Sequence, residues 1–195
     1  MDPFVASLED CVFIHIPKTG GTSIANALHR VEIMCGIPVI TGSIPKRSHL
    51  PICDRIKEYS DERWKQLFKF TIVRNPWDHA VSWFHWHRNN EFYATHASFE
   101  AWVLSGCPSH FLLDQRQYFT MSDNIMVDYV GRFEDLRQTL DRVTDGIGRE
   151  RISNLPHEYK SPNRQPYQQY FKNNAMIDVV AQKNKWLIDH FGYQF

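Results

Sequence analysis

The chain has 195 residues, with 22 basic and 22 acidic side chains and a formal net charge of zero, so no whole-molecule attraction to nucleic acid or an acidic membrane is expected. Hydrophobic residues make up 43% and charged ones 23%, the balance of a folded globular protein rather than a disordered one. No run of roughly 20 apolar residues, the length a membrane-spanning helix needs, occurs in it.

A chain of this length buries a sizeable core and is expected to form one domain, 1–195. Its first ten residues lack the basic and apolar stretches of a signal peptide. Cys11, Cys35, Cys53 and Cys107 are scattered, with no C-x-x-C pair. Reduced thiols in a cytoplasmic protein with no membrane span are the expectation.

In chain order, the first element is a β-branched run at 12–16 that stops at Pro17. Lys18, Thr19, Gly20, Gly21, Thr22 and Ser23 follow, and then Ile24, Ala27, Leu28 and Val31 repeat at helical spacing. Strand, Gly-rich turn and helix start aim backbone N–H groups and a helix dipole at one place, with Lys18 beside them. The two glycines let the backbone curl and come close to a ligand, and Thr22 and Ser23 are candidate caps. The stretch reads as a site for a phosphate or similar anion. It is not the triphosphatase loop G-x-x-x-x-G-K-[ST], because the lysine precedes the glycines.

A short strand is predicted at 37–40, then a basic loop over 41–49 that ends at His49. Helical signals occupy 52–59, and a second short helix is predicted from a cap at Ser60 or Asp61. Residues 68–73 (FKFTIV) form the next strand, closed by Arg74-Asn75-Pro76. A helix with Trp77, Ala80, Val81 and Phe84 on its core side follows, Pro76 fitting its first turn. Two strand–turn–helix units in succession predict an α/β protein with a parallel sheet.

Residues 85–121 are rich in histidine and aromatic side chains. A strand is expected within 125–131, a helix through Phe133, Leu136, Leu140 and Val143, and a long polar loop over 146–174. One final helix carries Ile177, Val180, Leu187, Ile188 and Phe191 to a stop at Gly192.

The pair PKTGGTS (17–23) and VRNPWDHAVSWF (73–84) resembles the two cofactor motifs of the sulfotransferases, in wording closest to the carbohydrate-type branch and its bacterial relatives. FKF before the second motif, VGRFEDL (130–136) and the ending FGYQF (191–195) extend the resemblance over nearly the whole chain. It implies a P-loop-like three-layer fold, a central mostly parallel sheet flanked by helices. It also implies transfer of a sulfuryl group from 3′-phosphoadenosine-5′-phosphosulfate (PAPS) to an acceptor hydroxyl by in-line displacement, the acceptor expected to be a saccharide.

Residue by residue, the resemblance assigns Lys18, Thr19, Gly20, Gly21, Thr22 and Ser23 to the 5′-phosphosulfate, and Arg74 and Ser82 to the 3′-phosphate. Lys160, Asn163 and Arg164 stand where a late basic segment reaches the same phosphate. Lys18 is placed to stabilise charge on the leaving oxygen. His49 is the chosen general base, with Asp54, Glu58 or a histidine of 85–96 as alternatives. Trp77, Trp83, Phe84, Trp86, Tyr93 and Trp102 are candidates for stacking on a sugar ring, with Trp77 and Phe84 better read as helix core and Trp83 or Trp86 of most interest if exposed. No metal is expected, since His85 and His87 point to different sides of a helix. A nucleotide kinase and an inactive PAPS-binding module are the competing readings.

Overall fold

The computed structural model describes residues 11–28, 49–88, 96–108, 114–152 and 164–195. The strand expected at 37–40 and nearly all of the basic loop before His49 lie outside them. The chain gathers into two compact units, Met1–Val73 with Gln117–Glu158, and Arg74–Arg116 with Tyr159–Phe195.

Among the described residues the first unit holds a three-stranded parallel sheet. Strand β1 (Cys11–Ile14) pairs with β2 (Phe68–Val73), and β2 pairs with β5 (Tyr129–Arg132). All four residues of β1 are buried, as a strand covered on both faces must be. Cys11 and Phe13 of β1 and Phe70 and Ile72 of β2 share a core with Ile24, Ala27 and Leu28 of the first helical segment, α1 (Gly21–Ala27) and the residue after it. Leu136, Leu140 and Val143 of α6 (Leu136–Gly146) complete it. Phe13 and Phe70 stack with ring centroids 4.8 Å apart.

Helix α6 starts where the Asp135 carboxylate accepts from Gln138 N, and its Leu136–Leu140–Val143 stripe faces the sheet. It lies close on β5 because Gly131 has no side chain. A Cβ there would stand 2.3 Å from Thr139 Cγ2. The Thr139 hydroxyl also donates to the Arg132 carbonyl and accepts from the Arg132 N–H. Between β1 and β2 come α2 (Ile52–Arg55), a 3-10 turn, and α3 (Asp61–Gln66), which starts at the Ser60 cap as the sequence suggested.

The strand expected within 125–131 is divided. Its first residues belong to a small hairpin, β3 (Thr120–Met121) with β4 (Asn124–Ile125), and only Tyr129–Arg132 joins the sheet. Ser122 and Asp123 between the hairpin strands have φ of 48° and 64°, the two positive values a type I′ turn needs.

The second unit is helical among the described residues. Helix α4 (Pro76–Arg88) opens with Asn75 as cap, whose side-chain oxygen accepts from the N–H groups of Trp77 and Asp78. Helix α5 (Phe99–Leu104) is capped by Ser98. The final helix of the sequence reading is two, α7 (Asn174–Lys183) and α8 (Lys185–Phe191), parted at Asn184. Gly192 ends α8 with a φ of 65°, the left-handed conformation that terminates helices. Trp77 is fixed by its indole N–H donating to the Ile177 carbonyl at 3.0 Å. No helix among the described residues is long and apolar enough to cross a membrane.

Candidate active site

The first motif forms a strand-to-helix turn in the first unit. Thr19 is fully buried and its hydroxyl donates to the Ile16 carbonyl at 2.8 Å, closing the turn on itself. Gly20 has a φ of 78°, and its carbonyl accepts from Ser23 N and Ile24 N, which starts α1. Thr22 and Ser23 are the second and third residues of that helix rather than its caps. Lys18 has a φ of 66°, in the left-handed region where a non-glycine residue carries strain on the order of 1–3 kcal/mol. A half-buried lysine held in that conformation is an observation that calls for a role.

Gly21 has a packing reason besides the one the sequence suggested. A Cβ at Gly21 would stand 2.2 Å from Cδ2 and Nε2 of the His15 ring and 2.9 Å from Phe13 Cε1. The missing side chain makes room for the His15 ring. Gly21→Ala is therefore expected to force the His15 ring aside and destabilise the protein by about 1–3 kcal/mol. A thermal melt showing the variant several degrees below the wild type is the check.

His15 is buried and its ring lies 5.2 Å from that of Phe13 and 4.4 Å from that of His49. His49 Nδ1 is 3.2 Å from the His15 carbonyl oxygen. A carbonyl only accepts, so Nδ1 carries the hydrogen and the lone pair of the neutral ring is on Nε2. Burial pushes the His49 imidazole down to about 4; the bond to the His15 carbonyl opposes this and the charge of Lys18 adds to it. Burial, then His49 and Lys18, hold His15 well below the ordinary imidazole range. Lys18, His15 and His49 thus form one electrostatic group. Two of the alternative bases hold ion pairs: Asp54 accepts from Lys57 at 2.8 Å, and Glu58 from Arg55 at 2.6 Å.

From Arg74 onward the second motif lies in the second unit. The backbone of Arg74 is clamped by the fully buried Gln115, whose amide accepts from Arg74 N and donates to the Arg74 carbonyl, both at 2.8 Å. Arg74 itself is 5% exposed, and its Nε donates to Asp78 Oδ2 at 2.7 Å. Arg164 donates to the other carboxylate oxygen of Asp78 and to the Asp78 main-chain carbonyl. Ser82 is buried on α4, one turn beyond Asp78. Asp78 and Gln115 were not among the residues singled out from sequence. The i, i+4 spacing of Arg74 and Asp78 was the available signal.

Of the stacking candidates, Trp83 is 1% exposed and cannot meet a sugar; it is packed edge-on against Trp86 at 5.5 Å. Trp86 is half-buried. Trp77 and Phe84 are buried, as expected of core residues. His85 bonds the Tyr170 hydroxyl at 2.8 Å, and burial, with the charges of Arg164 and Arg88, lowers its pKa. Among the described residues no group of three or more His, Cys, Asp and Glu is arranged to hold a metal. Tyr93, Lys160 and Asn163 lie outside the described residues.

The family profile described as the sulfotransferase family matches residues 2–194, a span that runs through both units. The chain belongs to the sulfotransferase family. As a member it is an enzyme of sulfuryl transfer, with PAPS as co-substrate. Among solved structures it is similar to one described as mouse sulfotransferase SULT7A1 complexed with PAP, with a TM-score of 0.54 and 18% identity. The match covers 91% of this chain and 85% of that one. A likeness at that identity concerns the fold, and it agrees with a mostly parallel sheet and flanking helices. No curated protein is similar to this chain in sequence.

Proposed function

We propose that this sulfotransferase sulfates a hydroxyl of a carbohydrate, with Lys18 and His49 as catalytic residues. The observation that carries the mechanism is the grouping of a strained Lys18 with a buried, neutral His49 whose Nε2 bears the lone pair. The residues Lys18, Thr19, Gly20, Gly21, Thr22 and Ser23 hold the 5′-phosphosulfate, and Arg74, Ser82 and Arg164 the 3′-phosphate. The chemistry of the donor set fits such a ligand. Two guanidinium groups gather on one carboxylate, and Arg164 Nε is buried with no partner among the described residues.

The donor supplies an electrophilic sulfur joined to a good leaving group. As the acceptor oxygen bonds to sulfur, the bond from sulfur to the bridging phosphate oxygen breaks. Lys18 stabilises the charge left on that oxygen, and His49 Nε2 takes the acceptor's proton. The product 3′,5′-adenosine bisphosphate (PAP) then leaves.

The wording of the two motifs supports the carbohydrate acceptor, and a half-buried Trp86 is the remaining indole for stacking on a sugar. The test is transfer from sulfur-labelled PAPS to a panel of saccharides, phenols and steroids. Label on saccharides alone is the expected result; label on phenols or steroids alone overturns the acceptor assignment.

A further inference from the structure

Asp78 places a negative charge where a ligand phosphate is expected, an arrangement that a simple anion site would avoid. It sits in the first turn of α4, four residues after Arg74, and faces that side chain across one turn. Arg74 meets a single carboxylate oxygen, Oδ2, with both Nε and a terminal nitrogen, each at 2.7 Å. Arg164 meets the other oxygen, Oδ1, and also the main-chain carbonyl of Asp78 at 2.9 Å. The two guanidinium groups come from positions 90 residues apart in sequence (164 minus 74) and share one carboxylate. The side chains are little exposed, at 5% for Arg74, 18% for Asp78 and 17% for Arg164, so their charges act in a medium poorer in water than a surface.

Without the carboxylate, two like charges would face each other at a half-buried place with their shared anionic acceptor gone. With it, the planes of both forks are set before any ligand arrives, and the group keeps one net positive charge. We propose that Asp78 is a positioning residue that aligns Arg74 and Arg164 into one seat and so determines selectivity for nucleotides phosphorylated on the ribose 3′-oxygen. This rests on the assignment of those arginines to the 3′-phosphate, and adds to it the residue that makes them a pair.

Charge and alignment predict opposite outcomes for Asp78→Asn. If charge alone governed, removing the carboxylate would tighten anion binding. If alignment governs, the forks are lost as a pair and binding of the 3′-phosphate weakens. The measurement is calorimetric titration of the whole chain with PAP and with adenosine 5′-monophosphate, which differ only in the 3′-phosphate.

The wild type is expected to prefer PAP. D78N is expected to lose about tenfold or more in PAP affinity, the scale of one or two charge-assisted hydrogen bonds, with the monophosphate unchanged. D78E should recover part of the loss. Unchanged or tighter PAP binding by D78N overturns the proposal, and so does an equal loss for both ligands, which would mark a merely structural role.

Should D78N fail to fold, Arg164→Lys keeps the charge and removes the fork, and the same selective loss for PAP is expected. Retained PAP selectivity in that variant contradicts the paired seat. A wild type with no preference for PAP overturns the phosphate assignment itself, whereas a normal wild-type preference with an insensitive D78N overturns only the role of Asp78.

Discussion

Lys18→Met is expected to lower sulfuryl transfer by about 10²–10³-fold, the usual effect of removing one group that stabilises charge in a transition state. The prediction follows from the backbone as much as from the ammonium group. Lys18 holds a φ of 66° in a turn closed by the Thr19 hydroxyl on the Ile16 carbonyl, with Gly20 at 78° beyond it. A glycine at position 18 would adopt this conformation without strain. Lys18→Gly should therefore melt no lower than the wild type and yet lose transfer as fully as Lys18→Met. Initial rates with labelled PAPS, set beside thermal melts of both variants, decide the matter. A glycine variant that transfers at the wild-type rate would remove Lys18 from the chemistry.

The second large effect belongs to His49. His49→Gln should reduce transfer by about 10²–10⁴-fold, the range for loss of a general base. Its pH dependence is the sharper test. A base works only when neutral, and burial, partly opposed by the His15 carbonyl and aided by Lys18, pushes His49 down to about 4. In the free enzyme the group is thus mostly neutral above that point and fully neutral by neutral pH. The profile of kcat/KM should stay level below the ordinary imidazole value of about 6.5 and fall only as the pH drops toward about 4. A bound sulfate or phosphate anion favours the imidazolium, so the acid limb of kcat should lie higher than that of kcat/KM. In His49→Gln the residual rate should lose this limb altogether. A residual rate that keeps the same limb would point to another base.

Some of this was legible in the chain and some was not, for physical reasons that differ by residue. Strand β2 was read to its last residue because FKFTIV lies between a helix end and Arg74-Asn75-Pro76, whose asparagine caps α4 and whose proline starts it. The caps at Ser60 and Gly192 were equally local. The break between α7 and α8 was hidden, because Val180, Leu187 and Phe191 keep the helical period across Asn184. There the Asn184 side chain turns back to donate to the Val180 carbonyl, a competition with the helix that apolar periodicity does not register.

The sites show the same division. The first motif announced the strand-to-helix turn around Lys18, because glycines and a proline after an apolar run punctuate the chain locally. It gave no sign that the open side of Gly21 also serves the ring of His15, six residues earlier. The motifs could not supply the meeting of Arg164 with Asp78 across 86 residues, because that contact depends on the fold of the chain between them. Trp83 looked available on an aromatic-rich helix, yet it is enclosed at 1% exposure.

The most direct test of PAPS as the co-substrate of this chain is its thermal stability in the presence of PAP. A ligand that binds the folded state at a hundred times its dissociation constant adds about 2.7 kcal/mol, which for a chain of this size raises the melting temperature by several degrees. The expected result is that rise with PAP, and little or none with ATP and magnesium at the same concentration. A melting temperature unmoved by PAP, or a rise with ATP and magnesium alone, would contradict the account.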